Sequence, residues 1–163
     1  MQNILVAAFS DADQRGVVNV ILPIQQQEFG IPITEADQPD LMNVAEFYQT
    51  GTGGFWVARS DDQVVGTVGL KDIGAGQAAL RKMFVAAPFR GRELGVAGKL
   101  LDALLAHARA QGIARIFLGT TDKFLAAHRF YEKKGFEELQ KADLPKAFPV
   151  MAVDSKFYVL NLL

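Results

Sequence analysis

Most of the chemistry this sequence could perform lies between Leu80 and Phe136. A strand-like run, Leu80-Arg81-Lys82-Met83-Phe84-Val85, leads into the turn Ala86-Ala87-Pro88-Phe89-Arg90-Gly91-Arg92-Glu93-Leu94-Gly95, and an amphipathic helix follows. A helix start presents backbone N–H groups that have no partner within the helix, together with a partial positive charge. Small residues at such a start let the backbone close on a phosphate. Arg90 and Arg92 would add charge-assisted contacts to the phosphate oxygens. Taken alone, a glycine-bearing, arginine-containing helix start is more often an ordinary turn than a ligand site. Nucleophilic catalysis through a covalent intermediate is disfavoured. There is no cysteine, and the only serines, Ser10, Ser60 and Ser155, do not sit in a nucleophile elbow. His107 and His128 are far apart in sequence, so no metal site is expected.

The elements that must position these residues follow from the hydrophobic period. Ile4 to Phe9 reads as a strand. From Asp11 onward Val17, Val18, Ile21, Leu22 and Ile24 follow helical spacing, with Asp11 or Asp13 placed to cap the helix and Pro23 expected to kink or break it. Gln27 to Thr34 reads as loop, and a short helix is expected from about Pro39 to Tyr48. Phe55–Arg59, Gln63–Leu70 and Ala78–Val85 are strands joined by the short turns Ser60-Asp61-Asp62 and Gly74-Ala75-Gly76, which implies an antiparallel meander. After Pro88 the period changes. Leu94, Ala97, Leu100, Leu101, Leu104, Leu105 and Ala108 form one helical stripe that ends at Gly112. Ile113–Thr120 is a strand, Lys123–Lys134 a helix closed by Gly135, Phe136 opens a further strand, and Ala152–Leu162 is the last. Strand–helix–strand after Ala78 demands a parallel crossover, so the sheet is mixed and mostly antiparallel, an α/β (α+β) architecture.

At 163 residues the chain fits one domain. Residues 1–50 are expected to form the N-terminal strand and helices, 53–140 the core, and 141–163 a C-terminal loop and strand. The first ten residues lack a basic lead and a long apolar run, and no segment approaches the ~20 apolar residues of a membrane span, so a cytoplasmic protein without membrane partners is expected. Residues 1–50 hold seven acids and one base, whereas the remainder holds 16 bases and 11 acids. The charges are either solvated faces, or an acidic half that meets a cationic substrate beside a basic half that meets an anionic cofactor. No dense Lys/Arg stripe with interleaved aromatics points to nucleic acid.

The order strand, Val85-x-x-Pro88-x-Arg90-Gly91-x-x-x-Gly95, helix, strand, helix, Phe130-Tyr131-Glu132-Lys133-Lys134-Gly135-Phe136 resembles the GNAT superfamily of N-acetyltransferases. The resemblance covers about residues 53–139. It implies a sheet splayed into a V-shaped cleft and acetyl-CoA as co-substrate. The strand at Met83, Phe84 and Val85 would hydrogen-bond the pantetheine arm. The thioester would sit where that strand parts from the one ending at Thr120. The amides from Arg90 through Gly91, Arg92, Glu93, Leu94 and Gly95 to Val96 would hold the pyrophosphate. Tyr131 matches the family tyrosine that protonates the departing thiolate. Its bland alternative is a helix residue packed on the sheet. The acceptor implied is a small-molecule or peptide amine, and homodimers occur in the family.

Three positions depart from the pattern. Glu93 replaces the central glycine of the phosphate loop, Phe124 replaces an asparagine seven residues before the tyrosine, and Ala79 replaces a glutamate that acts as general base in many relatives. Glu28, in the turn-like Gln25-Gln26-Gln27-Glu28-Phe29-Gly30 where the family builds its acceptor pocket, is the first candidate for a substitute base, ahead of Asp37 and Asp40. Strand alternation puts Arg81 and Lys82 on opposite faces, so at most one of them faces the cleft, and neither suits a base at neutral pH. Phe148 is a candidate for shaping acceptor specificity, and His128 is more readily a packing residue than a proton relay. The sequence therefore leads to direct acetyl transfer to a primary amine. The alternative is a catalytically weak acyl-CoA sensor or an interaction module on the same fold. RGRELG fits neither nucleotide-binding glycine motif.

Overall fold

Three consecutive runs rich in apolar residues are joined by tight turns, and this builds the antiparallel part of the sheet. In a computed structural model of the chain, which describes residues 3–91, 93–122 and 124–162, β1 (Ile4–Ala8), β2 (Gly54–Ser60), β3 (Gln63–Gly74) and β4 (Gln77–Val85) pair antiparallel in that order. The chain then crosses over through α3 (Val96–Ala110) to β5 (Arg115–Thr120), which is parallel to β4. A further helix, α4 (Leu125–Lys133), leads to β6 (Glu137–Leu139) and β7 (Lys156–Asn161), and the strand order is β1-β2-β3-β4-β5-β7-β6. The mixed, mostly antiparallel sheet expected from the sequence is the one found.

Both faces are covered. On one, Leu100, Leu101 and Leu104 of α3 pack with Val65, Leu70, Leu80 and Ile116, and Tyr131 of α4 joins this cluster. On the other, α1 (Gln14–Pro23) and the short α2 (Val44–Phe47) cover β2 and β3 through Val17, Ile21, Leu41, Tyr48, Phe55 and Val57. A smaller cluster of Ala79, Phe117, Phe148 and Phe157 closes the sheet beside β7.

The kink or break expected at Pro23 takes the form of an end to the α-helix at that residue. The proline ends the α-helical hydrogen bonding, because it lacks an N–H and crowds the carbonyl one turn back. The chain then widens instead of stopping. Ile24–Glu28 forms a π turn, with the Phe29 N–H reaching the Ile24 carbonyl at 3.1 Å. This wide turn carries Gln25 inward and Glu28 toward the start of α3, and such turns are common at functional sites.

Leu104 is fully buried between α3 and the sheet. Leu104→Ala is expected to lower the unfolding free energy by about 2–5 kcal/mol through lost burial and a residual cavity, read from urea unfolding with an unchanged m-value.

Candidate active site

Strands β4 and β5 stay together for three residue pairs only, Gln77–Arg115, Ala78–Ile116 and Ala79–Phe117. Beyond them β5 keeps β7 as its neighbour through Leu118–Tyr158, Gly119–Phe157 and Thr120–Lys156, while β4 keeps β3. The strands open like a V, and a cavity of about 130 Å³ lies in the opening. Its walls are Leu80 to Phe84 of β4, Leu118 to Thr120 of β5, Tyr131 of α4, and Phe148, Met151 and Asp154 from the loop before β7; Gln25, Ile31 and Ile33 close the N-terminal side.

A bulge shapes β4 at this point. Lys82 and Met83 together face Val68 of β3, because the register passes from Gly69–Arg81 to Thr67–Phe84. Lys82 takes a left-handed backbone conformation, φ +57°. For a lysine this is strained by about 1–3 kcal/mol, and the Thr67 hydroxyl supports it by donating to the Lys82 carbonyl at 2.7 Å. The bulge cancels strand alternation, so Arg81 and Lys82 both line the cavity. The expectation that at most one of them faces it is corrected by this bulge, which re-aims side chains as bulges do.

Lys82 is buried among polar side chains. Its Nζ donates to Gln38 Oε1 at 2.5 Å and stands 3.8 Å from Asp40 Oδ2. Gln38 and Gln25 exchange two hydrogen bonds, and the Tyr48 hydroxyl donates to Asp40 at 2.6 Å. Burial lowers the Lys82 pKa from 10.5 to about 8, with Asp40 opposing the shift. Asp40, expected as a weaker base candidate, instead serves as the counterion of this lysine.

Tyr131 packs against Phe130, Phe136 and Tyr158. Its hydroxyl accepts and donates no hydrogen bond among the described residues, and burial alone pushes its pKa well above that of an ordinary phenol. Thr120 is buried at the mouth of the V, and its carbonyl accepts the Ser155 N–H at 2.9 Å. Phe124 sits at the start of α4 and packs edge-on against Phe29 and Phe84, so an aromatic bridge stands where the family pattern has an asparagine. Phe148 is buried against Phe157 and lines the cavity. His128 is buried with its Nε2 2.9 Å from the Thr121 carbonyl, a packing arrangement.

The start of α3 is built for close approach. Gly95 caps it at φ +61°, a left-handed conformation that glycine adopts without strain. The Arg90 N–H is used by Ala87 and the Gly95 N–H by Gly91, so the loop does not offer every amide the sequence suggested. Gly91, Glu93, Leu94 and Val96 donate to no backbone carbonyl among the described residues outside the helix. The Glu93 side chain is exposed, and Arg92 lies outside the described residues. Arg90 Nε donates to the Val85 carbonyl at 2.8 Å, and its guanidinium grips both oxygens of Glu28, one of them at 2.8 Å. Glu28 therefore stands against Arg90 of the loop before α3 and outside the walls of the V. The hydrogen bonds from Arg90 hold its carboxyl below the usual range, which weakens it as a base.

The profile of the Acetyltransferase (GNAT) family matches residues 18–136. The chain belongs to the GNAT acetyltransferase family. Among curated relatives, N-acetyltransferase 8B of Rattus norvegicus is 34% identical over 103 residues, 61% of this chain and 46% of that protein. N-acetylaspartate synthetase of Danio rerio is 33% identical over 106 residues, 64% of this chain and 37% of that one. The chain thus spans about half the length, or less, of these relatives. An acetyltransferase of the GNAT family from Staphylococcus aureus Mu50 superposes with a TM-score of 0.94 at 39% identity, over 99% of this chain and 100% of that one. The N-acetylglutamate synthase of Neisseria gonorrhoeae, solved with coenzyme A and N-acetyl-glutamate, shares the fold at a TM-score of 0.75 and 19% identity, over 99% of this chain and 35% of that one. For a GNAT chain, the residues that sequence reasoning missed are Asp154, Gln25 and Gln38, and no local pattern marks any of them. Only the β5–β7 pairing brings Asp154 to the V, and only the π turn brings Gln25 there.

The Lys82 pKa has a consequence for stability. The folded value lies below the unfolded one, so between about pH 8 and 10.5 the unfolded chain binds more protons and stability rises with pH. Denaturant unfolding at pH 7.5, 8.5 and 9.5 is expected to show this rise in the wild type and its loss in Lys82→Met.

Proposed function

We propose that this chain is an acetyl-CoA-dependent N-acetyltransferase that moves the acetyl group directly to a primary amine. The observation that carries this reading is the parting of β4 from β5 after Ala79 and Phe117, with the Tyr131 phenol inside the opening. The free edge of β4 at Met83, Phe84 and Val85 suits an extended arm that needs backbone partners. The Gly91–Val96 loop and the first turn of α3 suit a diphosphate. Acetyl-CoA supplies the activated acyl group as a thioester.

The chain's own residues do the rest. The neutral amine attacks the thioester carbonyl, and backbone N–H near Val85 stabilises the oxyanion. The carbon–sulfur bond then breaks, and Tyr131 gives its proton to the sulfur. A phenol that burial keeps protonated is a sound donor here, because the same burial also makes a departing thiolate more basic. Water is excluded by the apolar walls, Phe84, Phe124 and Phe148 among them.

In this reading Glu28 guards Arg90 instead of acting as the base. Its carboxylate competes with the cofactor's phosphates for one guanidinium. Glu28→Gln is then expected to tighten acetyl-CoA binding about two- to five-fold, as expected from an exposed ion pair, with turnover maintained. A loss of turnover in that variant would restore Glu28 as the base.

The direct test is turnover on an amine panel with wild type and Tyr131→Phe, after calorimetric titration with acetyl-CoA. Saturable binding and a fall in kcat of about 10²–10⁴-fold in the variant are expected, with little change in stability because the hydroxyl bonds no described residue. Full activity in the variant would assign the proton to another group. Binding without turnover on any amine would favour an acyl-CoA sensor.

A further inference from the structure

Arg15, Arg59 and Arg90 each hold a carboxylate, of Glu35, Asp13 and Glu28 respectively. Arg81 does not. Its guanidinium lines the cavity, and among the described residues its one hydrogen bond runs from Nη2 to the Met151 sulfur at 3.5 Å. A thioether is a weak acceptor, so nearly all of the five donors of this planar fork remain unspent. Lys82 beside it is already taken by Gln38 and Asp40.

An anion faces the same cavity from the other side. Asp154 Oδ2 accepts the Met151 N–H at 2.9 Å, and Oδ1 accepts no hydrogen bond among the described residues. The carboxylate rests on Gly119 of β5, where a Cβ would come within 2.7 Å of Oδ2. Only glycine at that position lets the carboxylate reach the strand at the point where it parts from β4. Arg81 and Lys82 are the charges that face Asp154 from β4, and neither forms an ion pair with it among the described residues. Burial raises the Asp154 pKa despite both cations, which moves it toward the range of a useful base.

A fork-shaped cation and a carboxylate that share one cavity without touching complement a molecule carrying both charges on neighbouring atoms. We propose that the cavity receives a free α-amino acid, with its carboxylate on Arg81 and its amine on Asp154. This rests on the acetyltransferase reading above. A plain amine would leave the guanidinium unanswered. An acceptor with no positive charge would leave Asp154 unanswered. Among the other walls Ile31, Ile33 and Phe148 are apolar and suit an uncharged side chain, and the cation of Lys82 is already answered by Asp40.

The protons balance as follows. Asp154 takes one proton from the ammonium and passes it to solvent. The freed amine forms the carbon–nitrogen bond as the carbon–sulfur bond breaks. Tyr131 protonates the sulfur, and the second nitrogen proton restores the phenol. One amide, one thiol and one released proton result. Asp154 is thus the base that Ala79 does not provide.

The test titrates the CoA-saturated protein with the twenty L-amino acids and their decarboxylated amines, and measures initial rates of acetyl transfer from acetyl-CoA to the same compounds. At least one amino acid with an uncharged side chain should bind and exceed its decarboxylated amine in kcat/KM on the order of 10²–10³-fold. Arg81→Gln should remove that preference mainly through KM while acetyl-CoA affinity stays as in the wild type. Asp154→Asn, which keeps an oxygen for the Met151 N–H, should weaken amino-acid binding and also lose about 10²–10⁴-fold in kcat, with acetyl-CoA affinity as in the wild type. Decarboxylated amines or C-terminally amidated peptides used as well as amino acids, or an Arg81→Gln variant with the preference intact, would overturn the proposal. Failure of the wild type to bind acetyl-CoA would instead overturn the transferase reading on which it rests.

Discussion

A strand that loses its neighbour half-way along must find other partners for the backbone groups on that edge, because unpaired N–H and C=O groups away from water are costly. Strand β4 is in this position from Leu80 onward. Its partner β5 is held back by six pairs to β7, so the gap cannot close by sliding the two strands together. The rest of the site follows from that gap. The crossover through α3 is what makes β4 and β5 neighbours at all, and the same crossover puts the start of α3 at the end of β4. The open edge, the helix start and the Tyr131 phenol are three consequences of one topology.

The charges of the molecule are arranged around the same gap. The acidic first fifty residues and the basic remainder meet each other across the structure. Asp13 binds Arg59, Glu28 binds Arg90 and Asp40 faces Lys82. Part of the asymmetry seen in composition is thus answered within the chain, and these pairs fasten the N-terminal segment to the sheet and to the loop before α3. Arg81, beside Lys82 in the cavity, holds no carboxylate among the described residues. The pairing at Lys82 carries an internal cost, since a lysine in a left-handed bulge and a desolvated ammonium are both unfavourable. The Thr67 hydroxyl on the Lys82 carbonyl and the Gln38 and Asp40 contacts on its ammonium oppose that cost and hold the bulge in place, where it turns two consecutive side chains into one cavity.

The fold was legible because its signals are local and repeated: apolar runs joined by tight turns in the meander, a long 3.6-residue stripe in α3, and glycines at the helix ends. The turn before α3 and the place of Tyr131 on α4 were legible through motif resemblance at Val85–Gly95 and Phe130–Phe136. The geometry around Arg81 and Lys82 was not, because strand alternation is a rule for regular strands and the bulge at Lys82 breaks it. Asp154 and Gln25 were invisible for a different reason. One reaches the cavity through a strand pairing and the other through a π turn after Pro23, and neither leaves a pattern in neighbouring residues. Glu28 was the first candidate for a base; its partner Arg90 could be found only in three dimensions, and that partner argues against a base.

The central claim is that the free edge of β4 and the loop before α3 together hold acetyl-CoA. Hydrogen exchange of the protein with and without saturating acetyl-CoA tests it most directly. The account predicts new protection in peptides spanning residues 83–85 and 91–98, with β1 and β2 unaffected. Saturable binding with protection elsewhere, or none at those two segments, would contradict it.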